Sequence, residues 1–84
     1  MIHQLPLEIS REDHLWMARS SAIRGLLVTG ETFFQLLDAL PTVTQALFES
    51  CRSHGWVFVS DAPDAEPADI VWTILLPHQL LQAA

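Results

Sequence analysis

The chain has no lysine, one cysteine and no long apolar run. Without lysine, four arginines face ten acids, and the net charge is −6. Proteins that hold a phosphate backbone cluster Lys and Arg, because neutralising phosphates releases condensed counterions. No basic stripe is present here, so direct nucleic-acid binding is not expected. A basic partner protein suits the charge better, through steering by complementary fields. Cys51 has no second cysteine to pair with. That excludes an intrachain disulfide and makes a reducing cytoplasm the expected compartment. No apolar run approaches the roughly 18 residues of a membrane span. MIHQLPLEISRED lacks a basic segment followed by an apolar one, so no signal peptide is expected either. There is no internal repeat. At 84 residues the chain is read as one domain, near the small end for an independent core.

Against these absences, half of the residues are hydrophobic, and their spacing is informative. Leu5, Leu7 and Ile9 alternate with Pro6 and Glu8, which is a strand pattern. Pro6 has no N–H to donate, so it requires an edge position or a bond direction facing away from the sheet. Ser10 to Asp13 reads as a polar turn and His14 to Ser20 as the second strand of a hairpin. Leu15 and Met17 point one way, and Trp16 and Ala18 the other. A third strand, Gly25 to Thr29, places Leu26 and Val28 opposite to Leu27.

A helix follows. Thr32 is a good N-cap, with Gln35 at capping-box spacing. Phe33, Leu36, Leu37, Leu40, Val43, Leu47 and Cys51 form one stripe at 100° per residue, flanked by Phe34 and Phe48. Burial of each contributes about 1.5–3 kcal/mol. Pro41 predicts a kink near Asp38–Pro41 or two short helices in line, the in-phase stripe favouring the kink, and Gly55 predicts a C-terminal cap with Arg52 and His54 in the last turn. Trp56–Val59 is a short β-prone run. Residues 60–69 hold Asp61, Asp64, Glu66 and Asp69 with two prolines, a solvated acidic loop. Ile70 to Leu76 is a strand apolar on both faces, and Pro77 ends it before a short tail, 77–84.

The expected fold is α+β. An antiparallel sheet is covered on one face by a single Pro41-kinked helix, in the order β-β-β-α-(β)-β. One helix covers one face only. Trp16, Leu27 and either the Trp72 or the Leu75 set are therefore expected on a second apolar face. A patch of that size on a monomer exceeds what is usual, so burial by a homodimer mate or a partner protein is expected.

The order of segments resembles the HicB-like family of small bacterial α+β proteins, including its short stand-alone branch of unknown function. The residues that carry the resemblance are Leu15-Trp-Met-Ala-Arg-Ser20, Ile23-Arg-Gly-Leu26, Gly30-Glu-Thr32, Leu36-Leu37 and Leu40-Pro41, within roughly residues 5–50. Arg24 departs from the proline usual in the family's turn, and the segment 56–69 is longer than the usual link. The resemblance implies a fold similar to part of a double-stranded-RNA-binding domain, often dimeric. It also implies an antitoxin-type role, in which a small basic toxin ribonuclease is bound and blocked. Full members carry a C-terminal DNA-binding segment. Only eight residues follow Leu76, so that role is not carried over.

No catalytic, cofactor or metal motif emerges. Gly25 and Gly30 have neither dinucleotide-fold nor Walker spacing, and Glu31 beside the helix start repels an anion. They read as turn glycines. Cys51 and His54 are half of a zinc site without a second half. Cys51 reads as a small core residue. The expected function is non-enzymatic binding of a basic protein through Trp16, Leu27, Trp72, Asp61, Asp64, Glu66 and Asp69. The alternatives are a phage or mobile-element inhibitor that occupies a nucleic-acid-binding site by acidic mimicry, and an uncharacterised small dimeric domain.

Overall fold

The computed structural model describes residues 2–76. The tail at 77–84 lies outside them. The elements are β1 (His3–Glu12), β2 (Leu15–Arg19), β3 (Leu27–Gly30), α1 (Phe33–His54), a 3-10 turn (Pro67–Asp69) and β4 (Ile70–Leu75). They form an α+β fold, one four-stranded sheet with one helix on it.

β1, β2 and β3 make the expected antiparallel meander. The hairpin is tighter than the sequence suggested. β1 runs on to Glu12, and Asp13 and His14 alone make the turn, with Asp13 at φ 57°. Asp tolerates this left-handed conformation better than most residues, which suits a two-residue hairpin loop.

The fourth strand corrects the all-antiparallel expectation. The order is β3-β2-β1-β4, with β4 parallel to β1, so the sheet is mixed. The physical reason is the connection. α1 and the segment after it carry the chain from one edge of the sheet to the other, and a parallel strand needs such a crossover. Trp56–Val59 adds no strand. Trp56 and Val57 are exposed while Phe58 and Val59 are buried, which breaks the alternation a strand requires.

Pro6 is accommodated as the sequence required. β1 pairs with β4 over His3–Glu8 and with β2 over Glu8–Glu12. At Pro6 the strand therefore has a neighbour on one side only.

Register then fixes the faces. Leu5, Leu7 and Ile9 are buried towards α1. Ala18 lies opposite Ile9, and Val28 opposite Ala18, and both are buried. Trp16, two residues from Ala18, shares that face. So does Trp72, which lies opposite Leu5. Both tryptophans are half-buried and pack against the core. This corrects their expected place on the uncovered face.

α1 is bounded by the residues expected. Thr32 Oγ1 accepts from the Gln35 N–H at 3.0 Å, and Gln35 Oε1 accepts from the Glu31 N–H at 3.0 Å. At the other end Gly55 has φ 72°. Its N–H donates to the Arg52 carbonyl, and the Trp56 N–H donates to that of Cys51 at 2.8 Å. These two bonds are the Schellman closure. Pro41 lies inside one uninterrupted helix of 22 residues rather than between two. Its missing N–H removes a single bond, the one to the carbonyl four residues earlier.

Leu36, Leu40, Thr44 and Cys51 are the buried residues of the helix, with Phe33, Val43, Leu47 and Phe48 packed beside them. Phe34 is 78% exposed. Where β3 ends, a Cβ on Gly30 would sit 2.8 Å from the Leu36 backbone nitrogen. Only glycine lets the strand end this close to the first helical turn.

Candidate functional site

The acidic segment is built on the core rather than hung from it. Phe58 and Val59 are buried after the helix, with the Phe58 ring edge-on to Phe48 at 5.1 Å. The Ser60 N–H donates to the Ala22 carbonyl at 3.0 Å, which ties the segment to the connection between β2 and β3. Two further turns follow, from the Ala62 N–H to Val59 at 3.1 Å and from the Ala65 N–H to Ala62 at 3.0 Å. Ala65 is buried and anchors the second of them. The carboxylates between these anchors are thus held on defined backbone.

Asp61, Asp64 and Asp69 converge with His3 on a shallow hollow of about 380 Å3, floored by Ala62 and Ala65. Asp69 has a structural task as well, since its Oδ2 accepts from the Glu66 N–H at 3.1 Å. Glu66 is exposed but lies outside the lining. Of the seven residues expected to meet a partner, three come together here. Trp16 and Trp72 are packed against the core on the covered face, and Leu27 is on the far side of the sheet.

Trp16 has its own neighbours. Its ring lies 5.2 Å from that of Phe33, and the Arg11 guanidinium carbon sits 5.4 Å from its centroid. The tryptophan thus already has an aromatic and a cationic neighbour.

The uncovered face carries Leu15, Met17, Leu27, Val71 and Leu75. Leu27 is 55% exposed, and the Leu75 set rather than the Trp72 set shares its face. The face is not continuous apolar surface. Glu8 and Arg19 stand opposite one another across its middle. Its apolar area is therefore weighted towards the two edge strands.

A second concavity was not foreseen from sequence. Arg24, Gly25, Leu47, Cys51, Trp56 and Val57 line a groove of about 830 Å3 at the C-terminal end of α1. Trp56 is 62% exposed and is held by His54, whose ring stacks on it at 4.3 Å with planes 16° apart. His54 is oriented in turn by Nδ1, 2.8 Å from the Ser50 carbonyl. An apolar Trp-Val pair directly after a helix-ending glycine was the one signal available. Of the other walls, Leu47 and Cys51 lie on the helix just before it, and Arg24 and Gly25 are distant in sequence.

Cys51 is buried and His54 exposed, so the two are not presented together. Among the described residues no three His, Cys, Asp or Glu side chains are grouped to hold a metal ion, and no helix is long and apolar enough to cross a membrane. The glycines around β3 make no phosphate cradle. Space at Gly30 is taken by the helix, and the Gln35 N–H of the first turn is already taken by Thr32. No protein-family model, curated protein or solved structure matches this chain.

Proposed function

We propose that the chain is a non-enzymatic binding module whose acidic end receives a basic protein. The observation that carries this reading is the convergence of Asp61, Asp64 and Asp69 on one hollow with no arginine in its lining. Those side chains are set on hydrogen-bonded turns rather than on a free loop, so little ordering is lost when a partner arrives. A net charge of −6 favours encounter with a basic partner.

The resemblance of residues 5–50 to HicB-like antitoxins names the partner class, a small basic toxin ribonuclease. Blocking such an enzyme needs only occupation of the basic groove in which RNA lies. That is consistent with the absence of paired acid–base or metal groups in the sequence pattern.

The test is affinity capture from source cells at low and high salt, with the chain and its Asp61→Asn, Asp64→Asn, Glu66→Gln, Asp69→Asn variant. The expected result is a small basic protein held at low salt by the chain and released by the variant. Equal retention by both, with no dependence on salt, sinks the reading. Capture of a large nucleic-acid-binding complex instead would favour acidic mimicry by a mobile-element inhibitor.

A further inference from the structure

The sheet has four stretches of strand edge without a neighbour among the described residues, and three of them are protected. β3 is four residues long and ends at Gly30 against the helix. The first half of β1, open on the β2 side, contains Pro6. Its last residues, open on the β4 side, include Arg11 and Glu12. Short length, proline and charge are the usual devices that keep an edge from pairing with another chain. The outer edge of β4 has none of them. Its sequence is Ile70-Val-Trp-Thr-Ile-Leu75, without charge, proline or glycine. Alternate residues of this strand direct N–H and C=O groups away from β1, and those groups need a strand to bond to.

We infer that the free edge of β4 is the seam of a homodimer, in which two copies pair their β4 strands antiparallel about a two-fold axis. Charge selects the occupant. A basic partner finds no carboxylate on β4 to meet. A second copy of a chain with net charge −6 finds there the longest strand that brings no acid against acid.

Geometry restricts the register. A two-fold axis normal to the sheet keeps both helices on one side, so residues facing each other across the seam share a face. The pairing is then centred on Trp72 or on Thr73. Centred on Thr73, Val71 faces Leu75 of the other copy on the outer face and Trp72 faces Ile74 on the inner one; centred on Trp72, Val71 faces Thr73 and Ile70 faces Ile74. Ile74, Val71 and Leu75 are 43%, 45% and 47% exposed and lose water contact together. Among the described residues each chain has one unprotected edge, so assembly closes at two. The seam uses neither the acidic hollow nor its partner, and stands or falls separately from the function proposed above.

Light scattering on the full chain, on Thr73→Lys and Val71→Lys, and on Leu27→Glu tests this. The wild-type chain is expected at twice its 9.4 kDa mass. Both lysine variants should lose the dimer with unchanged far-UV circular dichroism, because a charge is then set into an otherwise uncharged seam. Leu27→Glu, on the outer face away from the seam, should remain dimeric. A monomeric wild-type chain overturns the inference, as does a dimer that survives both lysine variants or is lost only in Leu27→Glu. Hydrogen exchange gives a reading free of variants. Outward β4 amides should exchange about tenfold more slowly at dimeric than at monomeric concentration, and equal rates contradict the seam.

Discussion

Leu5 and Trp72 face one another across the parallel pair β1 and β4, both on the core side of the sheet, and this pairing joins the two ends of the described chain in one sheet. Leu5 is buried and Trp72 half-buried against the same core. Trp72→Ala is expected to lower stability by about 3 kcal/mol, the lower end for aromatic truncation, because burial is partial. Trp56→Ala, on the exposed loop, should stay within about 0.5 kcal/mol. Urea unfolding of the two variants separates a tryptophan that closes the fold from one that lines a groove.

Gly30 and Gly25 predict different penalties for the same substitution. Gly30→Ala drives a methyl to 2.8 Å from the Leu36 nitrogen, and backbone cannot give way as a flexible side chain does. A loss of about 1–3 kcal/mol is expected. Gly25→Ala meets nothing within 4 Å, but its φ is +86°. Its cost is conformational only, about 1–2 kcal/mol. Solvent accessibility of the helix start, read by amide exchange at Leu36, should rise in Gly30→Ala and stay unchanged in Gly25→Ala.

Thr44 lies buried in α1 with its hydroxyl unpartnered. Burying such a group without a bond costs about 1–3 kcal/mol. Thr44→Val keeps the shape and removes the hydroxyl, and should raise stability by about 1 kcal/mol. A lower urea midpoint in this variant would mean that the hydroxyl has a partner in solution.

Cys51 is 5% exposed although it borders the groove beside Trp56. A bulky thiol reagent should label it slowly in the native protein and promptly in denaturant. Trp56→Ala removes the nearest exposed wall and should accelerate native labelling. Rapid labelling of the unaltered chain would contradict the burial described.

Much of this fold was legible because particular residues mark boundaries. Thr32 with Gln35 and Gly55 bracketed the helix to within a residue, and Pro6 demanded a one-sided position that the stagger of β1 supplies. Alternation separated Trp16 from Met17 but did not say which of them faces the helix. That follows from Ile9 lying opposite Ala18, a register between strands and not a property of either. β4 is apolar on both faces, so no amphipathic pattern could reveal its parallel partner or its place at the edge. The acidic residues were visible as a group, yet their division was not. Asp61, Asp64 and Asp69 share a hollow only because buried Ala65 and the turns around it fold the segment back, leaving Glu66 outside. The groove at Trp56 draws its walls from the end of α1 and the residues after it and from the distant Arg24 and Gly25, which no local spacing reports.

The central claim is that this chain acts by occupying a basic protein. It is tested most directly by RNA cleavage with the captured basic protein, measured with and without an equimolar amount of the chain. Cleavage should fall to background with the wild-type chain and be restored when Asp61, Asp64, Glu66 and Asp69 are neutralised. Unchanged cleavage at saturating wild-type chain would contradict the account.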